Sequence, residues 1–159
     1  AHNANQAVPE FFATGEYKPR ASVATLACAM DVGNPSNMER LRSLVPDLAR
    51  LRSFASAYSV SDEEVRARIR VDYERYGRVW CPHTATAAKV YRRMLSRGAR
   101  GHWIIVSTAH AAKFHDIVEP QTGQEVPVPP SLARLLSLPR QETELEPTLQ
   151  ALRTHLQHT

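Results

Sequence analysis

The feature that most limits what this chain can fold into is its shortage of strand-forming segments. The longest run of large apolar residues is Trp103–Val106, and we expect a buried strand over His102–Ser107. A second, shorter strand is predicted at Ser22–Leu26. One good strand cannot form a sheet, because its backbone groups need a neighbouring strand. Either further strands come from a longer polypeptide, or the domain is nearly all helical.

Helical patterns account for most of the remaining residues. The clearest start signal is Ser61 with Glu64, the spacing of a capping box, and Gly77 is expected to end that helix. Pro82 suits the first turn of a helix that runs to about Ser96. Further helices are predicted at Ala7–Thr14, Met38–Leu44, Asp47–Tyr58, Lys113–Val118, Ser131–Leu138 and Glu144–Gln157.

Prolines and polar residues set several of these boundaries. Ser36 or Asn37 is expected to cap the helix that begins at Met38. Pro120 is expected to end the helix before it. The stretch Val126–Pro130 should be extended, since a proline disfavours the helical conformation in the residue before it.

Composition and charge exclude several classes of function. A length of 159 residues fits one domain, and the net charge of +4 comes with Arg mixed among Glu and Asp. That mixture is typical of solvated helix faces, so we expect no nucleic acid as a partner. The longest apolar run is far too short to span a bilayer, so we expect no membrane as a partner either. No leader resembling a signal peptide opens the chain, and Cys28 and Cys81 show no zinc spacing. We therefore expect two reduced thiols in a cytoplasmic protein with no metal site. The start at Ala1, without Met, indicates a processed, trimmed or partial chain.

Four segments resemble the C-terminal third of threonine synthases, enzymes that use pyridoxal phosphate. In chain order they are Asn3–Pro9, Ser22–Asn37, Tyr58–Glu64 followed by Tyr76-Gly77 and Pro82–Ala85, and finally Thr108–Phe114. Each is weak alone, but together they cover nearly the whole chain in the family's order. The sequence departs from the family's usual residues at Gln6, Cys28 and Ala111, where the family typically has Asp, Asn and Pro.

This resemblance implies an α/β fold class, namely the C-terminal portion of a fold-type II pyridoxal-phosphate enzyme, helix-rich with few strands. Residues 1–159 would form the C-terminal region of such an enzyme. In the family, the Schiff-base lysine and the phosphate-gripping loop lie in the N-terminal part, and neither motif is found here. We therefore reject Lys113 as the Schiff-base lysine. The N-terminal part of the same enzyme would be this chain's partner.

By the same resemblance, Thr108 would lie against the pyridine nitrogen of the cofactor. A neutral hydroxyl there does not demand a protonated ring nitrogen, as a carboxylate would. The alternative interpretation is that Thr108 caps the following helix. We identify no catalytic residue in this chain.

Four further residues are candidates for substrate binding. The resemblance places Asp31 and Asn34 near the active site, although an ordinary turn with a helix cap explains them as well. His110 and Lys113 lie near the N-terminus of a predicted helix and could meet a phosphate, or they could lie on a surface loop. His83 could line the site, although its position at a helix start favours a solvated or capping residue. For His155 with His158 we expect a solvated pair.

Three functional hypotheses remain open. In the first, the intact enzyme converts O-phospho-L-homoserine and water to L-threonine and phosphate, while this chain alone is inactive. In the second, a related phospholyase acts on another γ-phosphorylated small molecule, which the altered residues Gln6, Cys28 and Ala111 motivate. In the third, the chain is a non-catalytic helical module that binds a partner. An orphaned piece of an enzyme should expose apolar surface, which separates the third hypothesis from the others.

Overall fold

The computed structural model describes residues 1–157, which form two units, Ala1–Pro127 and a second that begins at Val128. The first unit contains the helices α1 (Ala7–Thr14), α2 (Asn37–Leu44), α3 (Leu48–Phe54), α4 (Asp62–Tyr76), α5 (Pro82–Ser96) and α6 (His115–Thr122), with 3₁₀ turns at Cys28–Met30 and Ala111–Phe114. The second unit contains α7 (Pro130–Leu136) and α8 (Leu149–Gln157). His158 lies outside the described residues, so the pair it was predicted to form with His155 stays a prediction.

Local capping explains why three helices begin and end where the sequence predicts. The Ser61 hydroxyl accepts a hydrogen bond from the Glu64 N–H at 3.3 Å, and Glu64 accepts one from the Ser61 N–H at 3.2 Å. The capping box of α4 is thereby confirmed. Gly15 and Gly77 end α1 and α4 with φ of +85° and +61°, a conformation that glycine adopts without steric cost. The predicted bounds of α5 are also confirmed.

The core of the first unit has two parts. Val8, Phe11, Met38 and Leu51 form one buried cluster, which joins α1 to α2 and α3. In the other part, α4 packs against both α5 and α6. Buried apolar side chains on these three helices are Val65, Ile69, Ala85, Ala88 and Val118. These contacts hold the start of α5 beside the 3₁₀ turns, where the candidate site lies.

Neither predicted strand is present. The segment His102–Ser107 contains no helix or turn, and we refer to it as the extended segment. It makes no strand ladder within residues 1–157, and Ile104 and Val106 are 90% and 70% exposed. The prediction of burial was wrong because the described part of the chain offers this segment no neighbouring strand. Ser22–Leu26 is likewise not a strand. The only bridge among the described residues joins His2 to Ser59. The fold is therefore helix-rich with few strands, as expected.

Several element boundaries also differ from the predictions. Pro120 lies inside α6, which runs to Thr122, although the proline ring removes one backbone hydrogen bond from the helix. Val118 on the same helix is fully buried, and α6 packs against α4, which stabilises the helix. Ser36 precedes α2 without a side-chain capping bond. The predicted helices 47–58, 131–138 and 144–157 are shorter in the structure, as α3, α7 and α8. No helix among residues 1–157 has the length and hydrophobicity needed to cross a membrane.

Candidate functional site

Asp31 is the centre of a polar hub that it forms with Asn3, Asn5 and Thr25. Its Oδ1 atom accepts hydrogen bonds from Asn3 Nδ2 at 2.6 Å, Asn5 Nδ2 at 3.2 Å and the Thr25 hydroxyl at 2.7 Å. Its Oδ2 atom accepts one from the Thr25 N–H at 2.9 Å. Asn3 is only 1% exposed. The carboxylate is thus saturated by internal donors, which suits it to fix loops rather than to react.

The hub also supplies hydrogen-bond partners to the backbone of Ser22–Leu26, which has no neighbouring strand. Asn5 Oδ1 accepts from the Val23 N–H and Asn5 Nδ2 donates to the Val23 carbonyl, both at 2.8 Å. One side-chain amide thereby makes the pair of bonds that an adjacent strand would make. Further along, the Leu26 N–H donates to the carboxylate of Asp62 at 3.2 Å. The side chains of Asn5 and Asp62 therefore hold this segment, in place of the strand pairing that a strand there would need.

His83 joins the 3₁₀ turn Cys28–Met30 to the start of α5. Its Nε2 atom accepts a hydrogen bond from the Ala29 N–H at 3.0 Å, and its ring lies 5.0 Å from the ring of Phe114. The Nδ1 atom is buried and has no hydrogen-bond partner. We expected a solvated or capping histidine here, and that interpretation was wrong. The only sequence signal was the position of His83 directly after Pro82, at a helix start.

Two of the predicted residues, Asp31 and Lys113, influence the pKa of this histidine. Burial lowers the pKa of His83, the Asp31 carboxylate acts to raise it, and the Lys113 ammonium lowers it further. Asp31 and Lys113 therefore both act on the charge of the same imidazole, although they are far apart in sequence. Lys113 is exposed and makes no ion pair within the described residues.

Thr108 lies at the end of the extended segment, and its side chain is exposed. The helical turn that follows is capped by His110, whose Nδ1 atom accepts from the Ala112 N–H at 3.2 Å. Thr108 makes no hydrogen bond within residues 1–157, so the alternative that it caps the turn was wrong. The structure leaves this hydroxyl available to a ligand.

Asn34 is set apart from these groups. Its Oδ1 atom accepts a hydrogen bond from the Tyr17 hydroxyl at 2.9 Å, and no hydrogen bond joins it to the polar hub. It lines an open cleft of about 660 Å³, together with Phe11 and Arg42. Across residues 1–157, no group of three or more His, Cys, Asp and Glu side chains could hold a metal ion. Cys28 is an exposed free thiol and Cys81 a buried one.

Comparison with known protein families gives a consistent result. A family model described as "Threonine synthase, C-terminal" matches residues 84–156. The chain is 39% identical over 140 residues to the threonine synthase of Serratia marcescens, covering 87% of this chain and 32% of that protein. It is 33% identical over 154 residues to the threonine synthase of Escherichia coli K12, covering 96% of this chain and 35% of that protein.

Solved structures agree with the sequence comparisons. The crystal structure of threonine synthase from Escherichia coli superposes with a TM-score of 0.79 at 31% identity, over 98% of this chain and 36% of that one. The pyridoxal-phosphate-bound threonine synthase from Brucella melitensis gives 0.81 at 27% identity, over 99% and 39%. The chain therefore spans about a third of the length of the relatives that it matches.

Proposed function

Because this chain is related to the C-terminal part of threonine synthases over nearly its whole length, we propose that it is that part of a pyridoxal-phosphate-dependent lyase. The intact enzyme would convert O-phospho-L-homoserine and water to L-threonine and phosphate, in the cytoplasm. The Schiff-base lysine and the cofactor-phosphate loop would belong to the N-terminal part, as would most of the fold-type II sheet. This chain would then be inactive alone.

The observation that carries the proposal is the available hydroxyl of Thr108. It stands exposed at the end of an extended segment, and the capping role that would otherwise occupy it falls to His110. A hydroxyl both donates and accepts, so it fits a pyridine nitrogen in either protonation state. Bound pyridoxal phosphate supplies an electron sink that stabilises negative charge developing on substrate carbons. Thr108 would orient the ring without adding charge beside it.

The exposed extended segment supports the N-terminal part as partner. Trp103, Ile104 and Val106 present large apolar side chains to solvent, which a self-contained module would bury. The backbone of residues 102–107 also makes no hydrogen bond within the described chain. A neighbouring strand from the N-terminal part would satisfy both needs at once. This surface also argues against the alternative of a stand-alone helical module.

The remaining candidates take different roles in this proposal. Asp31 would position loops, because its oxygens are already occupied by the hub. Lys113 and His110 would bind the phosphate of the substrate, since the ammonium of Lys113 is exposed and unpaired by any described residue. Asn34 would take part in substrate binding only if the substrate entered the open cleft that it lines. The related phospholyase remains the second candidate, because exposed Cys28 stands where the family usually has Asn.

The test uses the full-length polypeptide that carries this chain. We expect it to bind pyridoxal phosphate and to release phosphate from O-phospho-L-homoserine in preference to other γ-phosphorylated amino acids. Thr108→Val should lower kcat by at least about 10-fold, while Thr154→Val, on α8, should leave it unchanged. Failure to bind the cofactor would exclude the lyase, and preference for another phosphorylated substrate would favour the second candidate.

A further inference from the structure

Two side-chain contacts attach the extended segment to α5. Near the beginning of the segment, the ring of Trp103 lies 5.8 Å from the ring of Tyr91. Near its end, the Ser107 hydroxyl oxygen lies 3.2 Å from the Thr84 hydroxyl oxygen. The segment therefore runs along α5 in the opposite direction to the helix.

The spacing of these contacts matches the geometry of both elements. Tyr91 and Thr84 are seven residues apart on α5, which is two turns or about 10.5 Å of helix. Trp103 and Ser107 are four residues apart in an extended chain, which spans about 13 Å. The two distances agree closely enough for both contacts to form together. A slip by one residue would turn Ser107 away from the helix, because successive side chains of an extended chain point in opposite directions. α5 thus sets the register of the segment.

Thr84, the α5 residue of the contact with Ser107, is itself held in place. Thr84 is 1% exposed, and its hydroxyl lies 3.2 Å from the Cys81 sulfur. The Cys81 sulfur also accepts a hydrogen bond from the Thr84 N–H at 3.4 Å, which caps α5. The Thr84 hydroxyl therefore has little freedom to follow a moving partner. Ser107, by contrast, belongs to a segment whose only hydrogen bond within the described chain is this one.

The geometry points to the Thr84–Ser107 hydrogen bond as the contact that positions Thr108 at the cofactor ring, a conclusion that rests on the proposed function. Ser107 directly precedes Thr108, so the bond fixes the backbone from which the Thr108 hydroxyl projects. Thr84 and Ser107 are positioning residues, since they act through Thr108. A misplacement of about 1 Å at a reacting centre costs up to about 100-fold in rate.

The experiment compares Ser107→Ala, Thr84→Val and the double variant in the full-length holoenzyme. Each single variant should lower kcat on the order of 10-fold with little change in KM, and should shift the visible absorption of the bound cofactor. The double variant should be no worse than the more affected single variant, because both changes break one bond. Thr84→Ser restores the hydroxyl and should rescue both properties.

Thr86→Val is the matched control. Thr86 is a fully buried threonine on the same helix, and its hydroxyl bonds the Pro82 carbonyl at 3.0 Å rather than the extended segment. It should leave the cofactor spectrum unchanged. If Thr84→Val does not fold, exposed Ser107 decides the question alone.

The inference is overturned if Ser107→Ala keeps the wild-type kcat and spectrum, or if the two single effects multiply in the double variant. Those results would leave the proposed function intact. A wild-type protein that neither binds pyridoxal phosphate nor releases phosphate would overturn both.

Discussion

The Nε2 atom of His83 accepts a hydrogen bond from the backbone N–H of Ala29 over 3.0 Å. A protonated imidazole has no free lone pair at Nε2, so this bond exists only while His83 is neutral. The turn Cys28–Met30 is therefore attached to α5 by a contact that one proton can break. Asp31, the centre of the hub, directly follows that turn.

We expect this hydrogen bond to make the folded protein less stable as the pH falls. Burial lowers the pKa of folded His83 below its ordinary value of about 6.5, so the unfolded chain takes up the proton first. The contribution of neutral His83 is complete above that ordinary value and is lost as the pH falls towards the folded pKa. Asp31 opposes this effect and Lys113 adds to it. Melting temperatures of the full-length protein between about pH 8 and pH 5 measure the slope.

His83→Gln separates the hydrogen bond from the titration. Gln offers an acceptor oxygen at the reach of Nε2 but takes up no proton in this range. The variant should show a shallower acid slope than wild type, while His102→Gln, at an exposed position, should not. Equal slopes in all three proteins would contradict the role given to His83.

Replacing Asp31 by Asn should destabilise the fold markedly. The Asn oxygen can keep at most the three bonds that Oδ1 now accepts, and its amide nitrogen would then face the Thr25 N–H, so at least one of the four bonds would be replaced by two opposed donors. We expect a loss of about 2 to 3 kcal/mol in the free energy of unfolding, measured by urea titration of the full-length protein. Asp116→Asn is the control, because Asp116 is exposed and makes no hydrogen bond through its side chain within residues 1–157. Comparable losses in both variants would argue against the hub.

Gly33→Ala should be more costly than a glycine substitution at a helix end. A Cβ atom on Gly33 would lie 2.1 Å from the carbonyl oxygen of Arg20, which belongs to the backbone and cannot rotate away. We expect a loss of about 3 kcal/mol. At Gly77 a Cβ would meet nothing within 4 Å, and only its φ of +61° is unfavourable, so Gly77→Ala should cost about 1 kcal/mol. The reverse order in urea titrations would show that the two backbone segments can separate.

Two serines at N-cap positions can be compared, because only one of them makes a capping hydrogen bond. Ser61→Ala removes one half of the capping box and should cost about 1 kcal/mol, whereas Ser36→Ala removes no capping bond and should cost close to nothing. Thermal denaturation of the two variants tests this difference. A larger effect at Ser36 would mean that its hydroxyl caps α2 in solution.

What the sequence predicted well was local. The bounds of α1 and α5 and the capping box of α4 follow from caps, prolines and glycines within a few residues of each helix end. Such signals do not depend on the rest of the molecule. The helix-rich character with few strands followed from the same reasoning.

What it missed depends on distant contacts. Burial of residues 102–107 was predicted from their apolar side chains, but burial needs a surface that the described chain does not provide. The hub was missed because Asn3 and Asp31 are 28 residues apart, and two asparagines at alternate positions give only a weak signal of paired amides. Pro120 was expected to end a helix that instead runs to Thr122, packed against α4.

The hub has a consequence for how the chain can vary in length. By joining residue 3 to residue 31, it closes a loop whose ends are fixed by side chains and whose exposed part includes Lys18 and Pro19. The entropy of closing a loop grows only slowly with its length, by about 0.6 kcal/mol for each doubling. Extra residues inserted between Lys18 and Pro19 would therefore change stability little, which makes this loop a natural place to attach a tag or a reporter.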